Sequence, residues 1–377
     1  MTKPVYAIAS HIVSSLGTDT QAHWRSALAL QSGIRLQEDA ALSEKPFYAS
    51  RISPAVWQHL HSSTQSRNAL SPFEQMALFS AKKALQELDE PIELSKTALL
   101  LSSTKGNIEW LHQKDDDRTL LTSSAALLAK ELGISNKPII VSQACTSGVV
   151  ALIYALRLLQ SGRYEHAIVT GADRLTRFVL SGFQSFKAVD EQPCRPFDQE
   201  RKGVNLGEAA ATLILSVRPT QARAQLVSGA TSNDANHISG PSRTGEELAT
   251  AITQSLKDAA ITASQIDCIS AHGTATPYND EMEAKAFALS GVHTAPTHSF
   301  KSFIGHTLGA AGIVESALLV EALRNQYCLP SLGYKEHGVS TPLNITTAAT
   351  PASLYYALKT ASGFGGCNAA AVWKRAE

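Results

Sequence analysis

The 377-residue chain is 44% hydrophobic and 18% charged, enough apolar material to bury a large core as one big domain or two intimate halves. Lys and Arg balance Asp and Glu, so no global field points to nucleic acid. No run of about 18 or more apolar residues occurs, and residues 5–13 are interrupted by Ser10 and His11, so neither a membrane span nor a signal peptide is expected.

Taken in chain order, strand-like runs alternate with helical ones: residues 5–8, 98–102, 138–141, 166–170 and 210–215, then 224–227, 266–270, 297–300, 354–358 and 369–373. Such alternation predicts α/β layers, and two comparable series suggest an internal duplication. A short echo agrees with it, Ala155-Leu156-Arg157 against Ala322-Leu323-Arg324. The boundary falls at the Arg218–Arg223 junction, giving halves 1–218 and 219–377, and the junction is too short for a long flexible linker.

Between the second and third runs, Lys114-Asp115-Asp116-Asp117-Arg118 brings three carboxylates together, which reads as a solvated loop or helix start rather than a metal site. The third run leads into Cys145, followed by Thr146-Ser147-Gly148-Val149 and a helical pattern. A thiol there faces unpaired backbone N–H groups and the positive end of a helix dipole, which should lower its pKa and make a nucleophile. On this segment alone a buried structural cysteine stands equally open. All five cysteines (Cys145, Cys194, Cys268, Cys328, Cys367) are scattered without Cys-x-x-Cys spacing, which predicts a reducing, cytoplasmic setting rather than a disulfide framework or zinc module.

Two histidines stand in turns after strand-like runs of the second series: Ala271-His272-Gly273-Thr274-Ala275-Thr276, and Lys301-Ser302-Phe303-Ile304-Gly305-His306, the latter leading to a helix expected over 313–325. With the cysteine turn, with Arg195-Pro196-Phe197-Asp198 and Gly207-Glu208, with Asn279-Asp280-Glu281-Met282-Glu283, and with Gly363-Phe364-Gly365-Gly366, they form five ordered blocks. On these the chain resembles the β-ketoacyl-acyl-carrier-protein synthases of the thiolase superfamily.

The resemblance implies a thiolase-like, five-layered α-β-α-β-α fold of two similar halves and a decarboxylative Claisen condensation. Cys145 would accept the acyl group; His272 and His306 would stabilise the enolate; backbone N–H groups of Cys145 and Phe364 would hold the thioester oxyanion. Phe364 would also gate the acyl pocket, and Lys301 would support the histidines. Glu315, Asp280 and Glu283 would pair with Lys301 and order the site, while Thr274 and Thr276 would hold phosphopantetheine. No bound cofactor and no metal are implied, since Cys145, His272 and His306 lack short ligand spacing. Implied partners are an acyl carrier protein, whose phosphopantetheine carries the substrates, and a second subunit, in a homodimer or a heterodimer with a related ketosynthase-like chain; nucleic acid and membrane are not among them.

Ala275, Lys202, Val204 and Ala209 depart from the family's usual glycine, aspartate, phenylalanine and glycine, which bears on substrate and interface more than on reaction type. Residues 188–194 with 204–208 look more like the synthases of bacterial polyene-pigment pathways. Two other readings stay open: a chain-length-determining partner subunit, and a thiolase using Cys367 as a second catalytic cysteine.

Overall fold

The computed structural model describes residues 3–66, 69–111 and 116–377. Its frame is a ten-stranded sheet: β1 (Val5–Val13), β2 (Thr97–Ser102), β3 (Ile139–Val141), β4 (His166–Asp173), β5 (Ala209–Ser216), β6 (Ala224–Asn233), β7 (Cys268–Ser270), β8 (Thr297–His298), β9 (Tyr356–Gly363) and β10 (Cys367–Arg375). The spatial order is β8-β7-β9-β10-β6-β1-β5-β4-β2-β3. Each half therefore repeats one plan. In the first, β2 pairs in parallel with β3 and β4, and β5 runs antiparallel between β4 and β1. In the second, β7 pairs in parallel with β8 and β9, and β10 runs antiparallel between β9 and β6. The two meet where Val5–Ala7 pair with Ala224–Leu226.

Helices fill the layers around this frame. The described helices include α1 (Pro72–Gln86), α2 (Ser147–Gln160), α3 (Glu246–Asp258), α4 (Pro277–Leu289) and α5 (Ala311–Asn325). Helices α2 and α5 each touch strands of both halves, so they form the central layer. Their side chains, among them Leu152 and Val314, share one apolar core with Val169 of the first half and Trp373 of the second. Helix α1 covers the first half's outer face through Phe73 and Met76, and α3 covers the second's through Leu248 and Ile252. This is the five-layered α/β arrangement expected.

The two central helices cross at glycines. A Cβ on Gly148 would lie 2.8 Å from the backbone nitrogen of Ile313, and one on Gly312 would lie 2.5 Å from that of Val149. Any side chain at either position would push apart the first turns of α2 and α5, the turns that follow Cys145 and His306.

All ten strand-like runs are strands of this sheet, with shifted ends. Strand β1 continues to Val13, with Ser10 and His11 buried within it. Arg223 donates to the Ser10 hydroxyl at 3.2 Å, and burial pushes His11 down to about 4, keeping its imidazole neutral. A small sheet of Ile34–Gln37, Phe47–Ser50 and Leu206–Gly207 was not expected from the sequence. Of the charged run, Lys114 and Asp115 lie outside the described residues. Arg118 pairs with the buried Glu74 at 2.7 Å.

Candidate active site

The reactive turns follow the C-terminal ends of parallel strands, where open α/β sheets gather their sites. Cys145 follows β3, His272 follows β7, Lys301 and His306 follow β8, and Phe364 follows β9. One thiol sulfur and one ring nitrogen from each histidine lie within 4.8 Å of one another, all three residues being buried. The imidazole rings stand nearly perpendicular, at 85°, with centroids 5.3 Å apart. Sequence spacing thus did not exclude a metal-like cluster, since the fold closes distances that spacing leaves open. Among the described residues this is the one group of three or more His, Cys, Asp or Glu compact enough to hold an ion.

Cys145 sits just before the first residues of α2, on a backbone bent sharply at Ala144, whose φ of 46° lies in the left-handed region disfavoured for a residue with a Cβ. Ser147 holds the bend by accepting from Gln143 N–H at 2.8 Å and donating to Ala144 O at 2.6 Å. Gly363 approaches from β9 so closely that a Cβ there would lie 2.9 Å from the Cys145 nitrogen. That contact brings the Phe364 turn against the cysteine turn. The lowered thiol pKa expected from the helix N-terminus is not found: burial pushes the Cys145 thiol up to about 12, and the Lys301 charge opposes burial without overcoming it. The sulfur rests as a thiol.

His306 is placed by backbone: its N–H donates to Asn205 O at 2.7 Å, and its carbonyl accepts from Gly207 N–H at 3.1 Å. Its Nδ1 accepts from Leu308 N–H at 3.3 Å, which assigns the ring proton to Nε2, and Nε2 is buried without a partner. A donor thus points into the site with nothing to receive it. His272 is gripped through its main chain. Glu283 accepts from the N–H groups of His272 at 2.6 Å and Gly273 at 2.8 Å, while Lys301 Nζ donates to the His272 carbonyl at 2.6 Å. Burial first, and the Lys301 ammonium second, hold both imidazoles well below the ordinary histidine range, so both are neutral.

Of the three acidic residues expected to pair with Lys301, only Glu315 does so, at 2.6 Å. Glu283 serves the His272 turn. Asp280 accepts from Phe197 N–H at 2.7 Å and from Ala275 N–H at 3.2 Å, with Arg201 at 3.8 Å. Burial raises Asp280 to about 7. Burial alone would also raise Glu315, but its two flanking lysines outweigh that and hold it low. The second lysine, Lys359 on β9, lies 2.9 Å from Glu315 and is fully buried. Sequence reasoning ended that strand at residue 358 and missed it. The available signal was a single lysine amid Tyr356-Ala357-Leu358 and Thr360-Ala361, too apolar a setting for a solvated cation.

A pocket opens onto Cys145, His272 and His306. Thr274 and Thr276 line it with their hydroxyls 2.8 Å apart. Phe364 stacks on Phe183 with centroids 5.6 Å apart, and Phe183 sets its edge to the His306 ring at 6.5 Å. Phe183 carried no signal in the sequence beyond its size. Ala188 and Val204 also line the pocket, so one family departure, Val204, stands in its wall. Ala275, standing where glycine is usual, has φ 62°, the conformation that favours glycine. Cys367 is absent from the pocket lining; it is half-buried, with its sulfur 3.7 Å from Asn233 Nδ2.

The five-layered fold, with two halves of one strand plan, brings a buried cysteine and two neutral histidines together at its pocket. Residues 2–220 match the Beta-ketoacyl synthase, N-terminal domain, and residues 223–335 match the Beta-ketoacyl synthase, C-terminal domain; the chain belongs to the β-ketoacyl synthase family, whose members are condensing acyltransferases. It is 27% identical to 3-oxoacyl-[acyl-carrier-protein] synthase 2 of Vibrio cholerae over 97% of both chains. Among solved structures it superposes on the ishigamide ketosynthase/chain length factor with a TM-score of 0.89, at 24% identity over 100% of both chains. It also superposes on the ketosynthase ApeO in complex with its chain length factor ApeC from Xenorhabdus doucetiae, with a TM-score of 0.86, at 25% identity over 99% of this chain and 98% of that one. No helix among the described residues is long and apolar enough to cross a membrane.

Proposed function

We propose that this chain is an active β-ketoacyl-acyl-carrier-protein synthase, condensing malonyl carrier protein with an acyl group held on Cys145 in fatty-acid or polyene/polyketide elongation. The observation that carries this reading is the meeting, within 4.8 Å, of the Cys145 sulfur with two neutral imidazoles, one presenting an unpartnered Nε2–H.

Acylation begins at a resting thiol. As sulfur attacks the carrier thioester its proton must leave, and it ends on the departing phosphopantetheine thiol. Thr274 and Thr276 hold that arm, and the N–H groups of Cys145 and Phe364 hold the thioester oxygen. In the second half, malonyl thioester loses CO2 and its enolate oxygen is received by His272 and His306, donors aimed in advance in a water-poor pocket. The enolate carbon attacks the Cys145 thioester, forming the new carbon–carbon bond and expelling the cysteine sulfur, which is reprotonated. Lys301 and Glu315 hold the histidines' surroundings, and Asp280 and Glu283 hold the backbone of the His272 turn. Phe364, stacked on Phe183, opens and closes the acyl pocket. The halves 1–218 and 219–377 contribute nucleophile and histidines respectively.

The carrier protein and a second ketosynthase-like subunit are the partners we assign, and the cytoplasm is the compartment. Strand β3 ends the sheet with its residues half-exposed, and Tyr154 on the following helix is 42% exposed, an edge suited to a subunit of the same fold. An intact Cys145, His272, His306 and Lys301 set the chain apart from a chain-length-determining partner, and the place of Cys367 outside the pocket sets it apart from a thiolase. Intact-mass analysis with acyl carrier thioesters of several chain lengths tests the assignment: an acyl adduct on wild type but not on Cys145→Ala supports it, whereas no adduct with any donor sinks it.

A further inference from the structure

Two buried lysines, one carboxylate and three successive carbonyls form a single unit beneath the histidines. Lys301 Nζ donates to His272 O and to Glu315 Oε1, each at 2.6 Å. Lys359 Nζ donates to Ser270 O at 3.0 Å, Ala271 O at 3.3 Å and Thr360 O, and pairs with Glu315 Oε2 at 2.9 Å. The carbonyls of residues 270, 271 and 272, which lead β7 into the His272 turn, are thus all held by ammonium groups bridged through Glu315. The next residue after Lys359 grips the same turn from its other side: Thr360 Oγ1 donates to Glu283 Oε1, the carboxylate that accepts from His272 and Gly273.

We propose that Lys359 is a positioning residue for condensation: its ammonium pins the backbone before His272 and, with Lys301 around one carboxylate, places net positive charge beneath the imidazoles. An isolated ammonium at this depth would be very costly, and nothing in the apolar packing of β9 calls for one. Its full burial is explained by the four oxygens it meets. Within the Lys301–Glu315–Lys359 triad two ammoniums and one carboxylate sum to one positive charge, while the Glu283 carboxylate, which serves the His272 turn, stands outside that sum. Charged and titratable groups facing this unit are Glu315 from α5, Glu283 from α4, Lys301 and His306 from the loop after β8, His298 on β8 and His272 after β7. Lys359 acts on both His272 and His306 in the direction that disfavours protonation.

This inference rests on the condensing role of the histidines, so the test carries a readout independent of activity. Imidazole titrations of His272 and His306 are followed by NMR in wild type, Lys359→Met and Lys359→Met/Glu315→Gln, with resonances assigned by His272→Asn and His306→Asn. Lys359→Met removes the net charge and should raise both midpoints by about one pH unit. The double variant restores the count to one positive charge and should return the midpoints to the wild-type values. Decarboxylation of malonyl carrier protein reads the other role. Both variants lose the pinned carbonyls, so kcat should fall about ten- to a hundred-fold in each with KM little changed. Unmoved midpoints in Lys359→Met, or equal shifts in both variants, would overturn the electrostatic role, and wild-type kcat would overturn the pinning role. If neither variant accumulates as folded protein, Lys359 serves folding alone and the proposal fails. Absence of acylation and decarboxylation in wild type would instead defeat the proposed function, while the titrations still decide the charge effect.

Discussion

The two halves share one strand plan yet furnish their equivalent connections with opposite chemistry. In the first half, residues 142–146 join β3 to α2 by a tight bend that presents the uncharged Cys145 thiol. In the second, residues 299–310 join β8 to α5 by a longer path carrying Lys301 and His306. One buried carboxylate beside each connection differs in the same way. Asp173, at the end of β4, accepts from Ser103 Oγ at 2.8 Å, Thr104 N–H at 3.0 Å and Gly309 N–H at 2.7 Å, all neutral donors, and burial raises its pKa. Glu315 is met by two ammoniums, which overcome burial and hold its pKa low. A repeated strand plan can thus supply matching points of attachment while the local donors decide which connection carries charge. Here the Cys145 thiol and the His272 and His306 imidazoles come from different halves and meet only in the folded chain.

The division of labour can be broken residue by residue. Cys145→Ala should abolish acyl transfer with little change in Tm, since it removes one sulfur from a site lined on one side by open pocket. His272→Ala and His306→Ala should each lower the decarboxylation rate about 100- to 1000-fold, the typical effect of losing an oxyanion donor. The pH dependence follows in sign: both imidazoles titrate well below the ordinary range, so decarboxylation should persist as pH falls through about 6.5 and fail only below it. A rate that already halves near pH 6.5 would contradict neutral, buried donors.

Stability variants sharpen the contrast between the carboxylates. Glu315→Gln leaves two buried ammoniums around a neutral amide and should cost about 3–5 kcal/mol in denaturant unfolding, the range for breaking a buried ion pair. Asp173→Asn disturbs neutral hydrogen bonds and should cost about 1–3 kcal/mol. Equal costs would remove the distinction drawn between the halves. Cys367→Ser should leave condensation near wild type, whereas a thiolase would collapse. The smallest expected effect is at Ala275, where replacement by glycine relieves a left-handed Cβ clash and should change stability by no more than about 1 kcal/mol, toward greater stability.

Much of this arrangement was legible before folding. The ten strands announced themselves as short apolar runs with Gly, Ser or Asn punctuation, and the reactive residues stood in the turns after them. The state of the thiol was not legible: local position at a helix start argues for a low pKa, while burial, which only the packed halves create, reverses it. Lys359 was hidden for a related reason. A lysine in sequence reads as surface, and its partners Ser270, Ala271 and Glu315 come from segments far away in the chain. The small sheet containing Leu206–Gly207 has strands too short to show a period, yet it anchors His306 through backbone alone.

The measurement closest to the central claim is single-turnover extension: wild-type protein carrying an acyl group on Cys145 is mixed with malonyl carrier protein, and the carrier-bound product and released CO2 are followed together. Wild type should yield a β-ketoacyl product longer by one acetyl unit, formed with CO2 and with loss of the acyl mass from Cys145, and the His272→Ala and His306→Ala proteins should yield none on the same timescale. Acyl-Cys145 that persists unchanged beside malonyl carrier protein, or CO2 release undiminished without both histidines, would contradict that claim.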